Sequence, residues 1–183
     1  MTIEFEAFPK IARLNRDCVI SEKIDGTNAC VIVGDDGEFA VASRTKIITP
    51  MDDNHGFAKW AYLHKEELVA KLGPGRHFGE WWGAGIQRKY GLTGNDKAFS
   101  LFNTDRWGDM NVRPSCCRVV PVLFEGPFTS WAAMAALKDL RLNGSKAAPS
   151  FMKPEGIVIW HIAARTMFKV TLEKDEAPKG MAA

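Results

Sequence analysis

The sequence predicts an α+β fold, and three observations support this prediction. Short apolar segments typical of strands recur along the whole chain. Only residues 54–72 and 129–144 combine the length and the apolar spacing of helices. These two segments fall at irregular intervals between groups of strands, whereas a doubly wound fold would alternate strands and helices regularly. The 183 residues are enough for one domain with a sizeable core.

The first strands are predicted to form a meander. Residues 18–24 and 26–33 are strand-like segments that meet within the stretch SEKIDGTN. The sequence GDDGEF then predicts a two-residue hairpin turn, because Asp-Gly favours positive φ, and residues 38–46 are the predicted return strand. The helix over 54–72 ends at Gly-Pro-Gly, and its apolar residues share one face: Phe57, Trp60, Ala61, Leu68 and Leu72.

The second half alternates strands with one further helix. The helix is predicted to begin at a cap, either Thr129 or Ser130, and to close at Gly144. The tail after residue 174 is expected to be loose. The predicted strands are residues 76–83, 97–107, 117–126, 155–160 and 166–174.

Composition excludes several classes of protein. The chain is 46% hydrophobic and 25% charged, as is usual for a soluble globular protein. It has no apolar run near the roughly 20 residues of a membrane span, and its N-terminus lacks a secretion signal, so we expect a cytoplasmic location. The net charge of +2 means that a nucleic-acid partner would need a local basic patch.

The cysteines do not predict a metal site or a disulfide framework. Cys116 and Cys117 are adjacent, Cys18 and Cys30 lie in apolar runs, and none forms a C-x-x-C pair. We therefore expect all four to be small buried hydrophobic residues.

Lys23 stands between two acids, Glu22 and Asp25, at the predicted end of a strand. An amine becomes nucleophilic when burial or nearby cations lower its pKa from about 10.4, whereas neighbouring acids act in the opposite direction. Gly26 would allow a ligand to approach the backbone closely. Taken alone, this motif predicts a solvated turn or an ion pair.

Five later residues change this interpretation. Each has an ordinary explanation, such as an exposed strand charge, an edge-strand charge that opposes aggregation or a core aromatic side chain. Their order behind Lys23 favours an active site instead. They are Arg44 in ASRTK, Glu80 in HFGEWWG, Phe102 in FSLFN, Glu155 in PEGIVIW and Lys169 in FKV.

With these motifs in this order, the chain resembles the covalent nucleotidyltransferase superfamily of DNA ligases, RNA ligases and mRNA-capping guanylyltransferases. EKIDGTN is most similar to the phage and editing-complex RNA ligases, in which E-K-x-x-G-T-N recurs. GEWWGAGIQRKYG and FSLFNTDRW also resemble small phage and bacterial RNA ligases, and the similarity runs from about Val19 to Glu173. It implies an ATP-grasp-like α+β nucleotidyltransferase domain: two antiparallel sheets with flanking helices and a nucleotide groove between them.

The resemblance implies a role for each matching residue. Lys23 would be the nucleophile that forms a lysyl-AMP phosphoramidate, and Glu155 would orient a magnesium ion through water. The other positions would bind the nucleotide. Glu22, through its side chain or backbone, and Ile24 would border the adenine, and Phe102 and Val158 would cover its two faces. Asn28 and Arg44 would contact ribose and phosphate, Glu80 would bind a ribose hydroxyl, and Lys169 would contact the α-phosphate.

The chain departs from the phage-type RNA ligase pattern at two positions. Asn103 stands where an acid usually follows the stacking aromatic residue, and Thr171 stands where a second lysine is usual. Lys174 is nearby but in a different register. Only 14 residues follow Lys169, which leaves no room there for the OB domain of DNA ligases and capping enzymes. We therefore expect residues 1–183 to form a single nucleotidyltransferase domain.

The implied activity is an ATP-dependent RNA ligase that uses Mg²⁺ or Mn²⁺ and joins 5′-phosphate to 3′-hydroxyl ends. Arg88, Lys89 and Tyr90 are the candidate contact to the polynucleotide or to pyrophosphate. Three alternatives stay open. The first is a DNA ligase core that seals DNA-containing nicks, or another nucleotidyltransferase of the same superfamily. The others are a non-catalytic nucleotide- or RNA-binding domain and a subunit whose partner protein supplies RNA binding.

Overall fold

The computed structural model describes residues 4–173 and 175, and within them the chain forms two β-sheets with flanking helices. The helices are α1 (Phe57–Leu63), α2 (Lys65–Leu72), α3 (Thr104–Trp107) and α4 (Ser130–Asn143). The strands are β1 (Asp17–Lys23), β2 (Thr27–Val33), β3 (Phe39–Ala42), β4 (Ile47–Ile48), β5 (Gly75–Gly83), β6 (Lys97–Leu101), β7 (Cys117–Val119), β8 (Val122–Pro127), β9 (Gly156–His161) and β10 (Thr166–Thr171).

One sheet has four strands in the order β10-β9-β1-β8, all antiparallel. The other has six in the order β4-β3-β2-β5-β6-β7. The expected α+β fold with two sheets is therefore confirmed. The expectation that both sheets are antiparallel is wrong in one detail, because β6 and β7 are parallel.

Each sheet packs its apolar face against helices. Alternate residues of β1 and β9, such as Ile20 and Ile157, form a core with Leu140 of α4. In the larger sheet, Val31 and Phe99 pack against α1 and α2. Because side chains alternate across a strand, the remaining residues lie on the opposite faces. Those two faces carry Lys23, Glu80 and most of the other candidate site residues, whereas Glu22 lies on the core face of β1.

The predicted strand over 117–126 is two strands in different sheets. Pro121 has no N–H to donate and interrupts the run. The Val120 N–H donates to the carbonyl of Leu101 in the larger sheet at 3.1 Å, and the Pro121 carbonyl accepts from the Glu22 N–H in the smaller sheet at 2.9 Å. The chain thus crosses from one sheet to the other at this point.

Other predicted elements are shorter than expected. The helix over 54–72 is interrupted at His64, although the apolar spacing continues through the break. The strand over 97–107 ends at Leu101 because the Asn103 side chain accepts from the Arg106 N–H at 3.0 Å and caps α3. The return strand over 38–46 pairs only through Phe39–Ala42. The last strand ends at Thr171, and Lys174 lies outside the described residues.

Two local predictions depended on single residues. Thr129, rather than Ser130, caps α4, since its hydroxyl accepts from the Ala132 N–H at 3.0 Å. The hairpin turn is wider than the expected two residues: the Gly37 N–H donates to the Gly34 carbonyl, and Gly37 has a φ of 85°. This is a type I turn followed by a left-handed glycine.

The cysteines are free thiols; Cys116 is half-buried and the other three are buried. No helix in the described part of the chain is long and apolar enough to cross a bilayer.

Candidate functional site

Lys23 and Glu155 form an ion pair at the end of β1. The Lys23 Nζ lies 2.7 Å from the Glu155 Oε2, with side chains that are 19% and 7% exposed. In the pairing of β1 with β9, Lys23 lies opposite Gly156, which follows Glu155 directly. Gly156 has a φ of 157°, and an added Cβ there would overlap the Val170 carbonyl oxygen. The close approach of β10 therefore requires glycine beside Lys23.

Glu80 projects from the larger sheet towards Lys23 and Glu155. Its carboxylate accepts from the Gly26 N–H at 3.0 Å and from the Asn28 side-chain amide at 3.3 Å. Asn28 lies opposite Glu80 in the pairing of β2 with β5. The turn between the two sheets is thus held directly by Glu80.

The Glu80 carboxyl is buried, and burial raises its pKa to about 7. The negative charges of Glu155 and Asp25 also raise this pKa, while the Gly26 hydrogen bond and the Lys23 charge lower it. Lys23, Glu155 and Glu80 therefore interact electrostatically across the two sheets. We call these three residues the central cluster.

Glu22 lies on the opposite face of β1 from Lys23. Its carboxylate is 1% exposed and accepts from the Ser145 hydroxyl at 2.6 Å and from the N–H groups of Lys146 and Ala147 at 2.7 and 2.9 Å. The carboxylate thus holds the loop after α4 and is not available to adenine. Of the two contacts expected for Glu22, only the backbone contact stays a prediction.

Ile24 is also a core residue. Its side chain is 3% exposed and packs with Trp82 and Tyr90. The side chain is therefore not available to border the adenine as expected, and only a contact through its backbone stays a prediction.

Phe102 and Val158 stand on the two opposing sheets. Phe102 follows β6, is 38% exposed and pairs with Phe78, which lies on the same face. Val158 lies between Ser21 of β1 and Lys169 of β10. By strand alternation, Val158 and the exposed Lys169 are on the Lys23 face. Their predicted roles at adenine and at the α-phosphate stay predictions.

Arg44 is apart from the central cluster. It lies exposed in the connection between β3 and β4. Within the described residues, it has no hydrogen bond or ion pair that would join it to Lys23 or Glu155. Its expected contact to ribose or phosphate stays a prediction.

Tyr90 stabilises the turn between β1 and β2, which we call the Lys23 turn. The sequence did not reveal this role. Its hydroxyl accepts from the Asp25 N–H at 2.8 Å and lies 3.5 Å from the Lys23 carbonyl. Its ring is buried against Trp82 and Phe151. No local pattern could have indicated this contact, because 65 positions separate Tyr90 from Asp25.

Arg88 also stabilises the Lys23 turn, through Asp25. Its Nε lies 3.2 Å from the Asp25 carboxylate, and its Nη1 donates to the Lys153 carbonyl at 3.2 Å. Arg88, Lys89 and Tyr90 were expected to form a contact for the polynucleotide or pyrophosphate. The structure contradicts this for Tyr90, which is buried. Arg88 is half-buried in its ion pair and Lys89 is exposed, so their contacts stay predictions.

Comparison with known proteins identifies one matching family and one group of solved structures with a similar fold. The model of the family described as RNA ligase matches residues 16–171. Among curated proteins, no match is found.

The structure is similar to solved structures of the RNA ligase of Naegleria gruberi. A mutant with ATP and Mn has a TM-score of 0.63 and 21% identity, and covers 86% of this chain and 49% of that one. A mutant with AMP and Mn has a TM-score of 0.59 and 20% identity. A mutant without ligand has a TM-score of 0.61 and 21% identity. At this identity the similarity shows the fold, and the chain spans about half the length of these structures.

Proposed function

Because the chain belongs to the RNA ligase family, we propose that it joins RNA ends in an ATP-dependent reaction through a covalent AMP on Lys23. The observation that carries this proposal is the central cluster: a half-buried lysine beside Glu155, with Glu80 facing both from the second sheet. Family membership supports the class of reaction, and the geometry supports the choice of nucleophile.

The nucleotide would lie between the two sheets. Phe102 would stack on adenine, which is worth about 1–3 kcal/mol for comparable base stacking, and Val158 would face it from the smaller sheet. The Glu80 carboxyl would bond a ribose hydroxyl, and its pKa of about 7 lets it accept or donate that bond. Asn28 and Arg44 would contact ribose and phosphate, and Lys169 would contact the α-phosphate. The backbone of Glu22 and Ile24 would contact the adenine.

The residues present fit a divalent cation. Glu155, Asp25 and Glu80 offer the hard carboxylate oxygens that Mg²⁺ and Mn²⁺ prefer, and the relatives described above were solved with Mn and ATP or AMP. Glu155 would hold the cation through water. When bound, the cation supplies positive charge to the phosphates of ATP.

The proposed reaction has three steps, and Lys23 takes part in the first two. Its Nζ bonds to the α-phosphorus of ATP, pyrophosphate leaves, and the amine loses a proton. An oxygen of the RNA 5′-phosphate then attacks the same phosphorus, the Lys23 N–P bond breaks, and the leaving amine takes up a proton. Finally, the 3′-hydroxyl oxygen attacks the 5′-phosphate, loses its proton and displaces AMP. Glu155, 2.7 Å from Nζ, holds the amine in place for the first step.

The first step can be tested with ATP labelled at the α-phosphate. With Mg²⁺ or Mn²⁺, the protein should carry an acid-labile label on a denaturing gel. Lys23→Ala should abolish the label, because no other amine takes its place, whereas Lys59→Ala, which removes an exposed lysine of α1, should leave it unchanged. An unlabelled wild-type protein, or a label that survives in Lys23→Ala, would overturn the proposal.

The role of Glu155 has its own measurement. We expect Glu155→Ala to slow labelling by about 100-fold, the usual cost of one preorganised electrostatic contact. Glu125→Ala is the matched control, since Glu125 is an exposed carboxylate of the same sheet. Equal labelling by both variants would show that Glu155 does not assist the transfer.

The second and third steps require nicked duplexes. Nicks with a 3′-terminal ribose or deoxyribose, offered in parallel, should be sealed faster when the ribose is present. Equal sealing of both would indicate a ligase that also accepts DNA. Labelling without sealing of either would indicate that RNA binding depends on a partner protein.

A further inference from the structure

A second group of reactive side chains lies outside the central cluster. His64 is at the junction of α1 and α2, Glu67 is in the first turn of α2, and Cys116 directly precedes β7. One imidazole nitrogen, one carboxylate oxygen and the thiol sulfur of these residues all lie within 4.8 Å of one another. The three side chains are half-buried, and the proposed ligase reaction gives none of them a role.

Rigid elements hold these three side chains together. The connection from α3 to β7 runs beside α2: the Ser115 N–H donates to the Glu67 carboxylate, and the Lys71 Nζ donates to the Asn111 carbonyl at 3.3 Å. The Ser115 contact fixes the orientation of Glu67, as hydrogen bonds behind metal ligands commonly do. The cluster is therefore built from two backbone segments that are already tied to each other.

The donor set selects a particular class of cation. A thiolate, an imidazole and a carboxylate are together the ligands of Zn²⁺, whereas Mg²⁺ and Ca²⁺ take oxygen. Three protein ligands leave the fourth tetrahedral position to water. Cysteine binds as thiolate, so the thiol proton is released when the metal binds.

We propose that His64, Glu67 and Cys116 bind one Zn²⁺ ion. The ion joins α2 to the connection that precedes β7. The sequence did not predict this site, because its ligands follow no C-x-x-C spacing and Cys116 is far from the other two along the chain. The connection follows α3 directly and leads into β7, the edge strand of the larger sheet, so the ion also steadies this edge.

Cobalt provides a direct readout, because Co²⁺ bound by a thiolate has a charge-transfer band in the near ultraviolet. The full chain, stripped of metal and kept reduced without nucleotide, should bind one equivalent of Co²⁺ with this band, and Zn²⁺ should displace it. At a Zn²⁺ concentration 100 times its Kd, the folding equilibrium constant measured by urea unfolding should rise about 100-fold.

Matched variants identify the ligands. His64→Asn, Glu67→Gln and Cys116→Ser should each lose one-equivalent binding. Glu66→Gln and His55→Asn should keep it, since both replaced residues are exposed and outside the cluster. Circular dichroism without metal establishes that each variant is folded, and Cys116→Ser, which exchanges one atom, is the decisive variant.

Two outcomes overturn the proposal. One is the absence of the charge-transfer band in the wild-type protein. The other is one-equivalent binding with this band that persists in any of the variants His64→Asn, Glu67→Gln and Cys116→Ser, because the replaced residue would then not be a ligand. Neither result depends on the ligase proposal, because no nucleotide is present and nucleotide transfer is not measured.

Discussion

At the scale of the single residue, adjacent side chains of β1 have unrelated tasks. Lys23 belongs to the central cluster, whereas Glu22 faces the loop after α4 and accepts three hydrogen bonds there. Removing the acceptor would leave the buried Ser145 hydroxyl and two partly buried N–H groups without this partner, and an unsatisfied buried donor costs about 1–3 kcal/mol. The side chain of a glutamate directly before the proposed nucleophile is therefore explained by the stability of the loop, and only its backbone contact to adenine stays a prediction.

Glu80 leads to a prediction about pH. Its pKa is about 7 in the folded protein and 4.5 for an ordinary glutamate, so the folded state binds its proton more tightly. The resulting stabilisation is complete below about pH 4.5 and is lost as pH rises through 7. In urea unfolding, the free energy of unfolding of the wild-type protein should fall relative to that of Glu80→Gln between about pH 5 and 7.5.

Glu38→Gln is the control for this experiment, because Glu38 is exposed near the tip of a hairpin. Its stability curve should run parallel to that of the wild-type protein over the same pH range. If the curve of Glu80→Gln also ran parallel, the buried carboxyl would not be the group that titrates near neutral pH.

At the scale of the element, the connection between β5 and β6 positions the Lys23 turn. It carries Arg88, which pairs with the Asp25 side chain, and Tyr90, which bonds the Asp25 backbone. The apolar ring of Tyr90 is buried, and its hydroxyl is the polar group that reaches the turn. This connection therefore couples core packing to the geometry of the proposed nucleophile.

We expect Tyr90→Phe to keep the packing and lose the hydrogen bond. The free energy of unfolding should fall by about 1 kcal/mol, and the maximal rate of lysine labelling should fall up to about tenfold. The ATP concentration that gives half the maximal rate should not change, because Tyr90 positions Lys23 and touches no part of the nucleotide in the proposed arrangement.

Tyr62→Phe serves as the control, since Tyr62 is an exposed tyrosine of α1 and loses the same hydroxyl group. It should label at the wild-type rate. A Tyr90→Phe protein that is less stable but labels at the wild-type rate would show that Tyr90 is a packing residue only.

At the scale of the whole molecule, the two sheets meet at the turn between β1 and β2. The Gly26 N–H donates to Glu80, and an added Cβ at Gly26 would overlap the Trp81 carbonyl oxygen. The distance between Lys23 and Glu80 therefore depends on the absence of a side chain at this one position. This close approach gives a physical reason for the glycine of the K-x-D-G motif.

Gly26→Ala should separate the sheets at the central cluster. We expect the free energy of unfolding to fall by about 1–3 kcal/mol, as in other overpacked sites, and lysine labelling to be lost. Gly37→Ala, at an open hairpin turn with a φ of 85°, should cost about 1 kcal/mol through backbone strain and keep labelling. Normal labelling by Gly26→Ala would show that the cluster does not need this close approach.

The family and the α+β fold expected from the sequence are confirmed by the family match and by the two sheets. The cytoplasmic location, the RNA substrate and the individual nucleotide contacts stay predictions. The two departures from the family pattern have structural counterparts. Asn103 caps α3, and the Thr171 hydroxyl donates to the Glu173 carbonyl at 2.9 Å.

The sequence by itself determined what depends on residue type and local spacing. Apolar alternation predicted most of the strands, and the residues before an apolar helix limited the cap of α4 to Thr129 or Ser130. The order of motifs predicted that Lys23 and Glu155 belong to one active site. Tertiary structure alone decided which way Glu22 points, where the chain crosses between sheets and what braces the Lys23 turn. These features depend on contacts between residues up to 125 positions apart, and a pattern read over neighbouring residues carries no information about such distances.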